Sequence, residues 1–228
     1  MDVMRLILPI LLPIILGCAW RWLHSKGRTL NIATLATLLI GACLAAWNAA
    51  TPPAGEISLR WTDMLTLSLR VDGISRIYLG LIAVIWPGVG LYATEYLEHD
   101  AHPDRFYLFY TVTQGILHAL AMSGNLVTFY MFYEAMTLLS FPLVLHEGTE
   151  ASRRAAMKYL GYSLFGAALA LFGFFVVSEG SSGAVFEPGG SLTGQASPLM
   201  LWAALAMLVG FGGKAGMLPL HDWLPTAH

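Results

Sequence analysis

The sequence predicts an all-α integral membrane protein with about seven transmembrane helices, a discontinuous seventh helix and a small extracytoplasmic β-hairpin. Of its 228 residues, 57% are hydrophobic and only 11% are charged, whereas soluble domains carry about 25% charged residues. The mean hydropathy is +0.65. Apolar runs of membrane-spanning length recur along the chain, and glycines and a proline interrupt the last of them.

The apolar runs define the predicted helices, because about 20 consecutive apolar residues cross the hydrocarbon core of a bilayer. The predicted ranges are 3–20, 30–50, 74–97, 106–122, 124–146, 155–178 and 198–214. The last run continues, with a break, towards the end of the sequence.

Two segments between the apolar runs differ from them in pattern. The stretch EISLRWTDMLTLSLRVDG alternates polar and apolar residues around Thr62 and Asp63, which predicts a β-hairpin outside the bilayer. Residues 179–197 are rich in glycine and serine, which predicts a surface loop.

The basic residues predict the orientation of the chain in the membrane. With the N-terminus outside, the cytoplasmic connections hold Arg21, Lys26, Arg28, Arg105, Arg153 and Arg154, and the opposite connections hold Arg60, Arg70 and Arg76. Because basic residues accumulate in cytoplasmic loops, the sequence predicts a multi-pass protein of the cell (inner) membrane with an extracytoplasmic N-terminus.

Three ionisable residues, Glu134, Lys158 and Lys214, lie within predicted spans. A charge at the centre of a transmembrane helix costs about 2.5–3.5 kcal/mol on insertion scales, so such residues normally face the bundle interior and have partners. Two structural alternatives remain open. Lys158 would extend its ammonium to the cytoplasmic interface, and Glu134 would form an ion pair between helices.

The surroundings of Lys214 predict a broken helix. Four glycines lie within four residues of it, at positions 210, 212, 213 and 216, and Pro219 follows. Since proline has no N–H, the carbonyl of Ala215 loses its helical partner. Broken helices at membrane depth are buried in protein or line a water-filled cavity. Because the protonation of a desolvated lysine responds to the position of a nearby carboxylate, this pattern predicts a switchable proton site.

Three histidines are candidate proton relays, because histidine titrates near neutral pH. His118 lies in the fourth predicted span, and His221 and His228 follow the break. The alternatives are that His118 is an ordinary hydrogen-bonding residue and that His221 donates to carbonyls freed by the break. Asp222 is expected to cap or pair locally.

The sequence contains no CxxC, GxGxxG or Walker-type motif, so we expect no cofactor, no metal and no catalytic centre in this chain. A net charge of −2 gives no support for a nucleic-acid partner.

Five segments then carry a family resemblance. They are VDGISRIYLG, YATEYLEHDAHPDRFYLFY, NLVTFYMFYEAMTLLSFPLV, AAMKYLGYSLFGAALAL and KAGMLPLHDWLPTAH. Together they resemble the antiporter-like membrane subunits of respiratory complex I, of Mrp-type cation/proton antiporters and of membrane-bound hydrogenases. The last segment is most similar to the hydrogenase and Mrp branches. Tyr133 departs from the family pattern, which usually has tryptophan there.

The resemblance implies a mechanism and partners. It places the family's essential glutamate on Glu134, its sixth-helix lysine on Lys158 and its broken-helix lysine on Lys214. Glu134 and Lys214 would pair across neighbouring helices, with Lys158 tuning the glutamate from the cytoplasmic side. Other membrane subunits of a redox-driven or antiporter complex would supply the energy to move H⁺, or H⁺ against Na⁺, across the lipid bilayer.

The resemblance also divides the chain into two units. Residues 1–105 would form the first three helices with the hairpin, and residues 106–228 the first antiporter repeat, helices four to seven, without its eighth helix. The family has about fourteen helices with two inverted repeats. We therefore expect a piece of a longer subunit, and the alternative is a split subunit completed by another chain.

Two other functions compete with ion translocation. A structural membrane subunit would bind partners and transport nothing, but it has no use for Glu134 and Lys214 at membrane depth. A quinone-binding subunit would use the aromatic residues and histidines of the spans, although aromatic residues in spans usually serve packing.

Overall fold

The computed structural model describes residues 2–23, 27–62, 66–180, 186 and 197–227. Its helices are α1 Asp2–Trp22, α2 Gly27–Ala50, α3 Gly73–Tyr96, α4 Pro103–Ala121, α5 Leu126–Val144, α6 Glu150–Gly180, α7 Pro198–Lys214 and α8 Leu224–Ala227, and its strands are β1 Ile57–Arg60 and β2 Thr66–Leu69. The prediction of a mostly helical chain with one small two-stranded sheet is confirmed.

Five of the described helices, α1, α2, α3, α5 and α6, are long and apolar enough to cross a membrane. The chain is therefore a multi-pass membrane protein. Helix α4 is not in this set, and it carries the polar side chains of Thr111, Gln114 and His118. Helix α7 has only 17 residues.

Capping residues fix where several helices begin. The side chains of Asp72, Asn125 and Ser197 each accept a hydrogen bond from the backbone N–H three residues later, at the starts of α3, α5 and α7. Such bonds satisfy donors that have no partner within the helix. Helix α4 begins with Pro103, whose missing N–H costs nothing at that position.

The predicted hairpin is present and is attached to the start of α5. Strands β1 and β2 pair antiparallel, with Ile57 opposite Leu69. The amide of Asn125 donates to the Thr66 carbonyl at 2.6 Å, and the Ser68 N–H donates to the Thr128 hydroxyl at 2.8 Å. Asp63 of the predicted turn and most of the predicted loop 179–197 lie outside the described residues.

Helices α6 and α7 are in close backbone contact at small residues. Gly166 and Gly210 face each other, and a Cβ atom added to Gly166 would lie 2.6 Å from the Gly210 carbonyl oxygen. About two turns further along α6, Gly173 packs against the Ala203 carbonyl. Small residues of this kind let membrane helices approach closely.

Helix α1 contains two prolines whose effects are compensated by neighbouring helices. Pro9 and Pro13 have no N–H, so the carbonyls of Arg5 and Pro9 lose their helical donors. Asn48 of α2 donates to the Arg5 carbonyl at 2.7 Å, and the His118 Nδ1 of α4 lies 2.8 Å from the Pro9 carbonyl. Because a carbonyl only accepts, this Nδ1 carries the hydrogen. The two buried side chains thus tie α2 and α4 to α1.

Replacing His118 by leucine is expected to destabilise the protein, because the Pro9 carbonyl would stay buried without a donor. An unsatisfied buried polar group costs about 1–3 kcal/mol, which would lower the thermal unfolding midpoint of the protein in detergent. Thr113→Val is the matched control, since Thr113 is also buried on α4 but bonds only to the Phe109 carbonyl of its own helix. Equal midpoints for the two variants would contradict this role of His118.

Candidate functional site

Lys214 is the last residue of α7, and its ammonium is directed at α5. Its Nζ donates to the Thr137 hydroxyl and, at 3.4 Å, to the Tyr133 carbonyl. It also lies 4.4 Å from the centroid of the Tyr133 ring, a cation–π arrangement. The side chain is partly buried and reaches only neutral groups in these contacts, which replace part of the hydration that the charge has lost.

Glu134 follows Tyr133 on α5 and is therefore next to this group of contacts. It attracts the charge of Lys214, but among the residues that the structure describes no ion pair joins the two side chains. Its Oε1 is buried and accepts no hydrogen bond from any described residue. The arrangement therefore holds an acid and a base close together without direct contact.

The chain leaves the helical path directly after Lys214. Gly216 adopts a left-handed conformation with φ of 72°, which favours glycine because it has no Cβ. The Met217 N–H donates to the Gly212 carbonyl at 3.0 Å, one residue further back than in an α-helix. Helix α8 then begins at Leu224. The segment between the two helices contains Pro219.

Trp223 stabilises this break, a role that the sequence reasoning missed. Its ring is buried, its indole N–H donates to the Gly213 carbonyl at 2.9 Å, and its ring centroid lies 5.2 Å from that of Tyr159 on α6. The sequence had suggested His221 as donor to the carbonyls at the break, but His221 is exposed and Trp223 makes this bond. The available signal was the indole itself, since a buried tryptophan N–H usually finds an acceptor.

Lys158 on α6 contacts Asp222, not Glu134. Its Nζ lies 2.6 Å from Asp222 Oδ2 and 3.1 Å from the Thr226 hydroxyl, to which it donates. The direct partner of this lysine is therefore a carboxylate after the break. Asp222 does pair, but across to another helix and not within its own segment.

The remaining candidates lie apart from Lys214 or outside the described residues. His118 lies on α4 against α1, fully buried, and it has no described partner at Nε2. His228 lies outside the described residues. The structure thus brings together Glu134 and Lys214, and separately Lys158 and Asp222.

Comparison with known proteins gives matches to a family model, to a related sequence and to a solved structure. Residues 123–228 match the family model described as NADH:quinone oxidoreductase/Mrp antiporter, TM. The Na(+)/H(+) antiporter subunit A1 of Staphylococcus haemolyticus is 30% identical over 175 residues, which are 75% of this chain and 22% of that protein. A chain of respiratory complex I from Thermus thermophilus has the same fold, with a TM-score of 0.74 and 21% identity, over 96% of this chain and 46% of that chain.

The fold and the neighbouring side chains of Glu134 and Lys214 define a class of multi-pass membrane protein with ionisable residues among its helices. Residues 123–228 match the family of NADH:quinone oxidoreductase and Mrp antiporter membrane proteins, and the chain is similar to antiporter-like membrane subunits. The predicted family resemblance is thereby confirmed, while assignment to the hydrogenase branch stays a prediction. This chain spans less than half the length of either relative.

Proposed function

We propose that this chain is part of a subunit that translocates protons, or exchanges H⁺ for Na⁺, within a multi-subunit membrane complex. The observation that supports this most is the position of the Lys214 ammonium, which ends an interrupted helix and meets polar groups of α5 beside Glu134. Intramembrane ionisable residues in such positions mark ion pathways. Partner subunits and the lipid bilayer surround the chain in this proposal, and a partner supplies the energy.

In the proposed mechanism the Lys214 ammonium moves between two positions, one against Thr137 and one facing Glu134. Against Thr137 and the Tyr133 carbonyl it has only neutral acceptors, so the charge is weakly compensated and the proton is released readily. Turned towards Glu134, the ammonium gains a carboxylate that favours its charged form. Lys214 would thus take up a proton when it faces Glu134 and release it when it returns to Thr137.

The proposed topology has seven spans, with α7 and α8 as the two parts of a discontinuous seventh helix. Helix α7, with 17 residues, rises about 26 Å, slightly less than the hydrocarbon thickness of about 30 Å. Helix α4 would cross the membrane with its polar residues turned towards α1 and α2. Residues 1–105 and 106–228 remain the two proposed units, with the N-terminus and the hairpin outside the cell.

Lys158 and the three histidines would support Glu134 and Lys214 in this proposal. Lys158 acts on Glu134 only indirectly, because Asp222 compensates its charge. His221 and His228 would pass protons between the break and the aqueous phase. A relay role for His118 requires that its buried Nε2 meet a proton donor.

Thr137→Val tests this site with a nearly isosteric change. Loss of the hydroxyl removes one acceptor of the Lys214 ammonium, so we expect translocation to fall about 10- to 150-fold, the rate factor for the roughly 1.5–3 kcal/mol of one hydrogen bond to a charged group. The measurement is H⁺ and Na⁺ flux in proteoliposomes that contain the complete complex, and Thr113→Val is the control. Parent rates in Thr137→Val would contradict the proposal. A complete complex that assembles but carries no flux would favour a purely structural subunit.

A further inference from the structure

The segment after the break is attached to α6 through two neighbouring residues. Lys158 binds Asp222 Oδ2 at 2.6 Å and the Thr226 hydroxyl at 3.1 Å. The Thr226 hydroxyl in turn donates to the Asp222 carbonyl at 3.1 Å. One ammonium therefore binds a residue just before α8 and a residue within it.

The next residue of α6 continues the attachment. The Tyr159 ring packs on Trp223 with centroids 5.2 Å apart, and the Tyr159 hydroxyl lies 2.6 Å from the Ser140 hydroxyl of α5. Trp223 donates to the carbonyl of Gly213, the residue before Lys214. A connected series of contacts thus runs from α5 through α6 and the segment after the break to the end of α7.

The two lysines near the break, Lys158 and Lys214, have different partners. Asp222 is the carboxylate that Lys158 binds, whereas Lys214 binds the hydroxyl and carbonyl of α5 beside Glu134. With Asp222 ionised, the charge of Lys158 is compensated locally. Without it, the Lys158 ammonium would be left without its carboxylate partner.

We infer that Asp222 is a positioning residue for Lys214, which acts by binding Lys158 and so holding Trp223 against the Gly213 carbonyl. This inference rests on the proposed function of Lys214 and names a further residue of the same site. Since the Asp222 side chain is 62% exposed, and exposed ion pairs contribute little to global stability, its removal should disturb the position of the Lys214 ammonium more than folding.

The test uses the full-length subunit in its complete complex, with flux measured in proteoliposomes. Asp222→Asn is expected to lower translocation roughly two- to fivefold, the rate factor that corresponds to the energies of exposed ion pairs. Asp222→Glu keeps the carboxylate and is expected to restore most of the rate. Glu150→Gln is the control, because Glu150 forms exposed ion pairs with Arg153 and Arg154 elsewhere on α6.

A structural readout accompanies the flux measurement. Cryo-electron microscopy of the Asp222→Asn complex is expected to show loss of the Trp223–Gly213 hydrogen bond and a displaced Lys214 ammonium. Parent flux in Asp222→Asn, or Asp222→Glu as slow as Asp222→Asn, would overturn the inference. Lys214→Met, measured in the same assay, separates the two levels: if it also translocates at the parent rate, the proposed function fails. If Lys214→Met is inactive while Asp222→Asn is unaffected, only the positioning role fails.

Discussion

Lys214→Met is expected to abolish translocation while the complex still assembles. Methionine keeps most of the aliphatic stem, so packing at the end of α7 is retained and only the charge and the transferable proton are lost. Removing a costly intramembrane charge need not destabilise the fold. A positioned proton-transfer group normally contributes about 10²–10⁴-fold to the rate of its step. We therefore expect the translocation rate to fall by at least about 10²-fold.

The measurement is H⁺ flux in proteoliposomes, with assembly checked by native gel electrophoresis and size-exclusion chromatography. Lys214→Arg provides the comparison, because arginine keeps the positive charge but does not release a proton at accessible pH. Arginine is expected to fail as methionine does. An assembled Lys214→Met complex with parent flux would refute the assignment, and an active Lys214→Arg would make residue 214 a fixed charge instead of a proton carrier.

Glu134→Gln is expected to cause a loss of similar size. Glutamine matches the shape of glutamate but has neither its charge nor its capacity to take up a proton, so the Lys214 ammonium would lose the carboxylate that favours its charged form. We therefore expect flux to fall by about 10²-fold or more, with assembly intact. The measurement is the same proteoliposome flux assay, repeated at a series of pH values.

Glu147→Gln is the matched control for this change, since Glu147 lies exposed just after α5. It removes an equal charge at a distance from Lys214 and is expected to leave flux unchanged. If Glu134→Gln and Glu147→Gln behaved alike, the carboxylate of Glu134 would have no special part in translocation. Glu134 would then be a packing residue with a buried charge.

Hydropathy located the helices well but not their polar starts. The predicted sixth helix began at residue 155, whereas α6 begins at Glu150. The first turn carries Glu150, Arg153 and Arg154, which lower the local hydropathy, while the Thr149 hydroxyl accepts from the Ser152 N–H and so stabilises that start. A search for apolar runs does not recognise a helix that extends beyond the bilayer.

The candidate site could be predicted residue by residue but not contact by contact. Glu134 and Lys214 were identified because a charge inside an apolar run needs an explanation. Their partners depend on how α5, α6 and the segment after the break pack in three dimensions. The binding of Lys158 to Asp222 joins residues 64 positions apart, and the bond from Trp223 to Gly213 depends on the course of the chain after the break. No periodicity within one helix contains this information.

The glycine contact between α6 and α7 limits how the proposed ion movement could be driven. Gly166 and Gly210 leave no side chain between the two backbones, so α7 cannot tilt towards α6, and tilting away would open a gap in a close-packed interface. In the proposed mechanism, the proton would then be moved by rotation about the bonds of the Lys214 side chain and by adjustment of the loop that follows it. A partner subunit would drive this movement by acting on the loop, without displacing a whole helix.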